Sequence, residues 1–176
     1  CKEYDMKAAL YPNFQKPNAL VCARKVCDVL ESAGIEVSVS ELFRNDFSDK
    51  PFVHFEDISI SAHTADFVLA IGGDGTILRC AKFLMGTDTK LLGINTGTLG
   101  FMAGLEADQL DKLKLLAEEK YEISERMTLD IAYHGEGCDI VRSALNEVSA
   151  RSSSFSICDF EVHSYDYLVG KYRADG

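Results

Sequence analysis

The sequence predicts an open, mostly parallel α/β sheet domain followed by the start of an all-β second domain. Three observations predict it. In the first two thirds of the chain, short apolar runs alternate with stretches whose apolar positions recur every three or four residues. Two of those runs empty directly into glycine-rich segments. After Tyr121, strand-like runs follow one another with no helix between them.

The elements follow in order. Residues 7–11 (KAALY) read as a strand that meets a loop at Pro12 and Asn13. Pro17 and Asn18 open a helix to about residue 32, with Ala19, Ala23, Val26, Leu30 and Ala33 on its inner face and Gly34 as its stop. Residues 35–39 (IEVSV) alternate as a second strand, which completes a βαβ opening. Residues 44–63 hold charges, a proline and no clean period, and read as a connecting segment. Residues 67–71 (FVLAI) are continuously apolar, as expected of a central strand covered on both faces. The helix after it turns Ile77, Ala81, Leu84 and Met85 inward and Arg79 and Lys82 outward. A strand at 91–94 and a helix from Asp108 to about Lys120, with Leu110, Leu113 and Ala117 inward, complete this part. Beyond it, strands are expected at 129–133, 139–145, 160–163 and 168–172, with a turn at 134–137. The expected division is a nucleotide-binding α/β domain over 1–122 and an incomplete antiparallel domain over 123–176. The second is too small to close a core, so the chain reads as truncated.

Composition narrows the classes. Of 176 residues, 47% are apolar and 26% charged, which is globular usage. The formal charge of −10, from 28 acidic and 18 basic residues, argues against a nucleic-acid partner. It leaves room for a small phosphorylated ligand held by local cations and backbone N–H groups. Neither the six cysteines nor the four histidines show a metal-ligand spacing, so free thiols in a reducing compartment are expected, with no protein metal site. With no long apolar run and no leader, the chain reads as soluble, cytoplasmic and without a membrane partner.

The chemistry concentrates where residues 67–71 run into Gly72-Gly73-Asp74-Gly75-Thr76. Glycines there allow backbone to approach a ligand and to adopt positive φ, and the helix that follows offers unpaired N–H groups to phosphate. A Walker loop is excluded because no lysine follows the glycines. The dinucleotide fingerprint G-x-G-x-x-G fails at Leu78. The bland alternative is a tight turn in which Asp74 caps the helix. A second glycine-rich strand end, 93–101, lies one helix further on, and two such ends make a crevice.

FVLAIGGDGTILR (67–79) followed by LLGINTGTLGFM (91–102) resembles the NAD kinase family. The match extends back to KAALYPN at 7–13. It runs on through Asn146-Glu147 in ALNEV to Arg173-Ala174-Asp175-Gly176, which is similar to the family's R-x-DG. GGDGT alone is shared with lipid kinases of the diacylglycerol and sphingoid-base type; the GINTGTLGF segment and the later Asn-Glu separate the two. The resemblance implies a Rossmann-like first domain and transfer of the γ-phosphate of ATP, or of polyphosphate, to the 2′-hydroxyl of the adenosine ribose of NAD. Mg²⁺ would neutralise the phosphates.

The resemblance also implies residue roles. Asp74 would accept the proton of the 2′-hydroxyl, and the backbone of Gly72, Gly73, Gly75 and Thr76 would lie against ribose and phosphates. Asn146 and Glu147 would read adenine and ribose, and Arg173 and Asp175 would contact NAD. Arg79 is placed to reach a phosphate or to stand solvated, and Phe101 to pack on a base or in the core. The family's full length implies a homo-oligomer, and this chain alone is expected to have little activity. The competing readings are a GGDGT-type lipid kinase and a non-catalytic nucleotide-binding module in which Asp74 is only a cap.

Overall fold

The structure is a computed structural model and describes residues 4–97, 100–135, 137–152 and 156–175. The chain divides into two compact units, Cys1–Met127 and Thr128–Gly176.

The first unit is built on six parallel strands: β1 (Lys7–Pro12), β2 (Glu36–Val39), β3 (Val53–Phe55), β4 (Phe67–Gly72), β5 (Lys90–Asn95) and β6 (Leu105–Glu106). Their spatial order is β3-β2-β1-β4-β5-β6. From β1 the chain winds outward one way through β2 and β3, then crosses to β4 and winds the other way. The reversal falls between β1 and β4, where the two strands pair from Ala8 with Phe67 to Pro12 with Ile71.

Residue alternation along β4 sorts the core. Phe67, Leu69 and Ile71 face one layer, and Val68 and Ala70 face the other. The first layer is closed by α1 (Ala19–Ser32), through Cys22, Ala23, Val26, Cys27 and Leu30. Leu110 and Leu113 of a 3-10 helix (Leu110–Leu113), and Leu116 of α4 (Lys114–Ala117), add to it. The second layer is closed by α2 (Ile58–Thr64) and α3 (Asp74–Leu84), with Ala62, Ile77, Cys80 and Leu84. Burying each large aliphatic side chain contributes roughly 1.5–3 kcal/mol, so the first layer carries most of the apolar stabilisation. The second is lined by alanines and brings α3 close to the sheet. At Gly93 an added Cβ would stand 2.3 Å from Ile77 Cδ1 and 3.1 Å from Ala103 Cα, so only glycine lets β5 and α3 pack this way.

Two expectations need correction. Residues 44–63 are not a mere connector. They hold most of a 3-10 helix (Glu41–Phe47), then β3 and α2. Ser40 caps the first and Asp57 the second, each accepting from the backbone N–H two residues on. Elements this short are too brief to display a period. The helix expected from Asp108 to Lys120 is instead the 3-10 turn and the single α turn, and it buries Leu116 rather than Ala117. Glu119 takes a left-handed φ of 54° and ends it.

The second unit contains two antiparallel hairpins. β7 (Leu129–Gly135) pairs with β8 (Cys138–Ala144), and β9 (Cys158–Ser164) with β10 (Tyr167–Ala174). Gly137 and Tyr165 make the turns in left-handed conformations. Tyr133, Val141, Val162, Tyr167 and Tyr172 are exposed.

One ion pair ties β1 to the segment after β3. Lys7 Nζ donates to Glu56 Oε2 at 2.9 Å, and Ser61 Oγ donates to the same oxygen at 2.7 Å. Burial pushes the Glu56 carboxyl up, but the bonds from Ser61 and Lys7 outweigh it and hold it below its ordinary 4.5. A lowered folded value stabilises the protein above the unfolded value, and the contribution disappears as pH falls through the folded one. Glu56→Gln is therefore expected to lower the urea midpoint at pH 7, with the gap to the parent narrowing below about pH 4.5. A gap that stays constant from pH 7 to pH 3 would contradict this account of Glu56.

Candidate active site

In an open α/β sheet a ligand site lies beyond the carboxyl ends of the strands, at the point where the winding reverses. Here that point is bordered by Asn13, just after β1, and Gly73, just after β4. Asn13 N donates to Ile71 O at 2.9 Å, and its Nδ2 donates to Thr76 Oγ1 at 3.2 Å. Asn13 thus links the two strand ends across the reversal.

Asp74 is the first residue of α3. The helix cap is Gly73, with φ −103° and ψ −176°, and no side chain caps it. The reading of Asp74 as a helix cap is therefore corrected. Its carboxylate turns to the segment after β5 instead. Oδ2 accepts from Phe101 N at 3.0 Å and Oδ1 from Met102 N at 3.2 Å. Gly100 permits this approach, because a Cβ there would stand 2.5 Å from Asp74 Oδ1. The carboxylate is half-buried and bridges the ends of β4 and β5.

The glycines of the motif divide their work. Gly72 gives Thr76 room, since an added Cβ would meet Thr76 Oγ1 at 2.4 Å. Around Gly73 and Gly75 a Cβ would meet nothing within 4 Å, so open space faces that backbone. None of the three has positive φ, so the expected need for left-handed backbone is replaced by a need for space. Thr76 is 2% exposed, and its side chain is committed to Asn13 and Gly72.

Asn95 shapes the second loop. It is 2% exposed, donates through Nδ2 to Glu106 Oε2 at 2.9 Å and accepts from Gly97 N at 3.2 Å. Thr96 N donates to Gly72 O at 3.2 Å, which joins this loop to the first. Thr96 Oγ1 is buried with no hydrogen-bond partner among the described residues. Thr98 and Leu99 of the motif lie outside the described residues.

The other expected site residues fall as follows. Arg79 is exposed, and its Nε donates to Gly75 O at 3.2 Å, so the guanidinium lies back along α3 toward the helix start. Phe101 is 92% exposed, which corrects the reading of it as a core aromatic. Asn146 and Glu147 follow β8 and are exposed. Arg173 sits in β10 with Nε 3.9 Å from Asp159 Oδ1, and the Asp175 carbonyl accepts from Ser152 N at 3.2 Å. Gly176 lies outside the described residues. These last four positions belong to the second unit, while the crevice residues belong to the first.

Asn13 and Asn95 were not singled out from the sequence as site residues. Each stands immediately after, or at the end of, a strand bordering the crevice, and that position was the available signal. Cys80, under the site in α3, is pushed up to about 12 by burial and stays a neutral thiol. No group of three or more His, Cys, Asp and Glu residues that could hold a metal ion occurs among the described residues.

A doubly wound parallel sheet with open glycine backbone and a held carboxylate beside its reversal point defines a Rossmann-like α/β domain. Comparison with known proteins makes this specific. Residues 9–121 match the model of the ATP-NAD kinase N-terminal domain, and the chain belongs to the NAD kinase family. An NAD kinase of Christiangramia forsetii is 32% identical over 97% of this chain and 61% of its own length. One of Corynebacterium diphtheriae is 35% identical over 100% and 58%. The chain thus spans about three fifths of the relatives it matches. The crystal structure of yeast NADH kinase complexed with NADH superposes with a TM-score of 0.81 at 16% identity, covering 99% of this chain and 57% of that one, which establishes a shared fold.

Gly100→Ala tests the carboxylate's position without removing it. The added methyl displaces Asp74 Oδ1; were Asp74 the proton acceptor, a ~1 Å misplacement would cost on the order of 10²-fold in rate. The intact protein carrying Gly100→Ala is expected to fold with a near-normal circular dichroism spectrum and to lose activity on that scale. Full activity would show that the bridge from Asp74 to residues 101–102 does not matter.

Proposed function

We propose that the protein is an NAD kinase, which moves the γ-phosphate of ATP, or of polyphosphate, to the 2′-hydroxyl of the adenosine ribose of NAD. The observation that carries the reading is the Asp74 carboxylate, held at the C-terminal end of the sheet by two backbone amides and set beside the open backbone of Gly73 and Gly75.

The chemistry follows from the geometry. A carboxylate has about four lone-pair positions, and the two amides use one on each oxygen. A sugar hydroxyl therefore has a free lone pair to meet while the group stays in place. As the 2′-oxygen attacks the phosphorus, its proton passes to Asp74, and the bond to the β-γ bridging oxygen of the donor breaks. General-base help of this kind is worth about 10²–10⁴-fold, and positioning supplies much of the rest. The backbone at the start of α3 faces the donor's phosphates, with Arg79, one turn further along and bonded back to Gly75 O, able to swing toward them. Mg²⁺ would neutralise the charge of the donor's phosphates, as such transfers require.

In this reading Phe101, standing free in solvent, receives a base of the dinucleotide by stacking. Asn146, Glu147, Arg173 and Asp175 contact NAD as well. The whole protein works as a homo-oligomer in the cytoplasm. No helix among the described residues is long and apolar enough to cross a membrane.

Asp74→Asn in the intact protein is the direct test. An amide can accept one of the two loop N–H groups but sets its own NH₂ against the other, so a modest loss of stability, on the order of 1 kcal/mol, is expected beside the chemical effect. NADP formation should fall by at least about 100-fold while NAD binding stays within a few-fold. Unchanged turnover would assign proton acceptance to another group. Product from a lipid acceptor and none from NAD in the parent would replace the reading with a lipid kinase.

A further inference from the structure

The segment between β5 and β6 carries the two amides that hold Asp74, and little backbone closes its base. β6 has two residues and lies at the edge of the sheet, pairing Leu105 with Ile94 and Glu106 with Asn95. One further backbone bond runs beside this pairing, from Gly104 N to Gly93 O at 3.0 Å. A short edge strand frays readily, so the side chains at the base decide how firmly the segment is set.

Asn95 and Glu106 supply that closure. Asn95 ends β5 with its side chain buried and donates through Nδ2 to Glu106 Oε2 at 2.9 Å. A carboxylate acceptor makes this bond stronger than one between neutral groups. Asn95 Oδ1 accepts from Gly97 N at 3.2 Å, which turns the chain as it leaves β5. Glu106 is itself fixed from the other side. Gln109 N donates to Glu106 O at 2.9 Å, and Glu106 N donates to Gln109 Oε1 at 3.4 Å. Gln109 directly precedes the 3-10 helix whose Leu110 and Leu113 are buried in the first layer. A line of contacts thus runs from the core through Glu106 and Asn95 to the segment that meets Asp74.

We propose that Asn95 and Glu106 are positioning residues for the phosphoryl transfer. Their side-chain bond sets the segment whose Phe101 and Met102 amides hold the Asp74 carboxylate. Asn95 is 2% exposed and both ends of its carboxamide are engaged, so it acts through this segment and not on a substrate. The inference rests on the reading above for the reaction it serves, while the bridge it sets belongs to the free protein. A supporting shell of this kind fixes an acid more firmly than the two amides alone.

Reversing donor and acceptor tests it in the intact protein, with hydrogen exchange at the Phe101 and Met102 amides measured beside NADP formation. At about pH 8, above the ordinary carboxylate range, Asn95→Asp sets two like charges in contact and drives the pair apart. Those amides are expected to exchange about tenfold faster, and kcat to fall on the order of 10²-fold with the KM for ATP within about threefold. Glu106→Gln alone leaves an oxygen to accept from Asn95, so both readouts should stay within about threefold of the parent. Adding Glu106→Gln to Asn95→Asp again sets one donor against one acceptor, in the reverse direction, and is expected to recover most of both losses. Should Asn95→Asp not fold, Glu106→Ala removes the acceptor at a half-buried edge position and carries the same expectation. Unchanged amide exchange, faster exchange with unchanged kcat, or losses that add in the double variant would each overturn the proposal. Faster exchange that the double variant reverses, in a protein that forms no NADP, would remove the reaction and leave the positioning of Asp74 standing.

Discussion

One carboxylate held by two backbone amides organises the candidate site. Asp74 begins α3 but does not serve it as a cap; its oxygens accept from Phe101 and Met102 across the gap between β4 and β5. The bridge adds to the bond from Thr96 N to Gly72 O in joining the loops after β4 and β5. It also holds the acid at the C-terminal end of β4, a strand that borders the reversal of winding. A group fixed before the substrate arrives has no reorganisation left to do when charge develops, which is the advantage of preorganisation.

That bridge depends on how closely α3 can lie on the sheet. Gly72, Gly93 and Gly100 each stand where a Cβ would strike a neighbour below 3 Å: Thr76, Ile77 and the Asp74 carboxylate respectively. The alanine-rich second layer serves the same end from beneath. Small residues here give up apolar burial, which the first layer around Leu30, Leu69, Ile71 and Leu113 supplies.

Much of this was legible in the sequence where a segment is long or its pattern strong. The continuous apolar run at 67–71 marks a strand buried on both faces, and the glycine-rich segments after it mark the crevice. The motif shared with the NAD kinase family agrees with the family match over residues 9–121. Short elements escaped notice. β3 has three residues and α2 seven, too few to show a period, and capping by Ser40 and Asp57 stabilises that region instead. The task of Asp74 within the free protein was also hidden. The residues it meets lie 27 and 28 positions away, and no local pattern announces a contact at that separation. The glycines at 72, 73 and 75 answer to closeness of packing and open space, and none of them takes a positive φ.

The most direct measurement is a crystal structure of the intact protein with NAD bound, read at the adenosine ribose. The account predicts the 2′-hydroxyl about 2.6–3.2 Å from an oxygen of Asp74, with the amides of Phe101 and Met102 still on that carboxylate. A ribose seated elsewhere, with Asp74 closed off behind the loop and its 2′-hydroxyl facing another base, would contradict it.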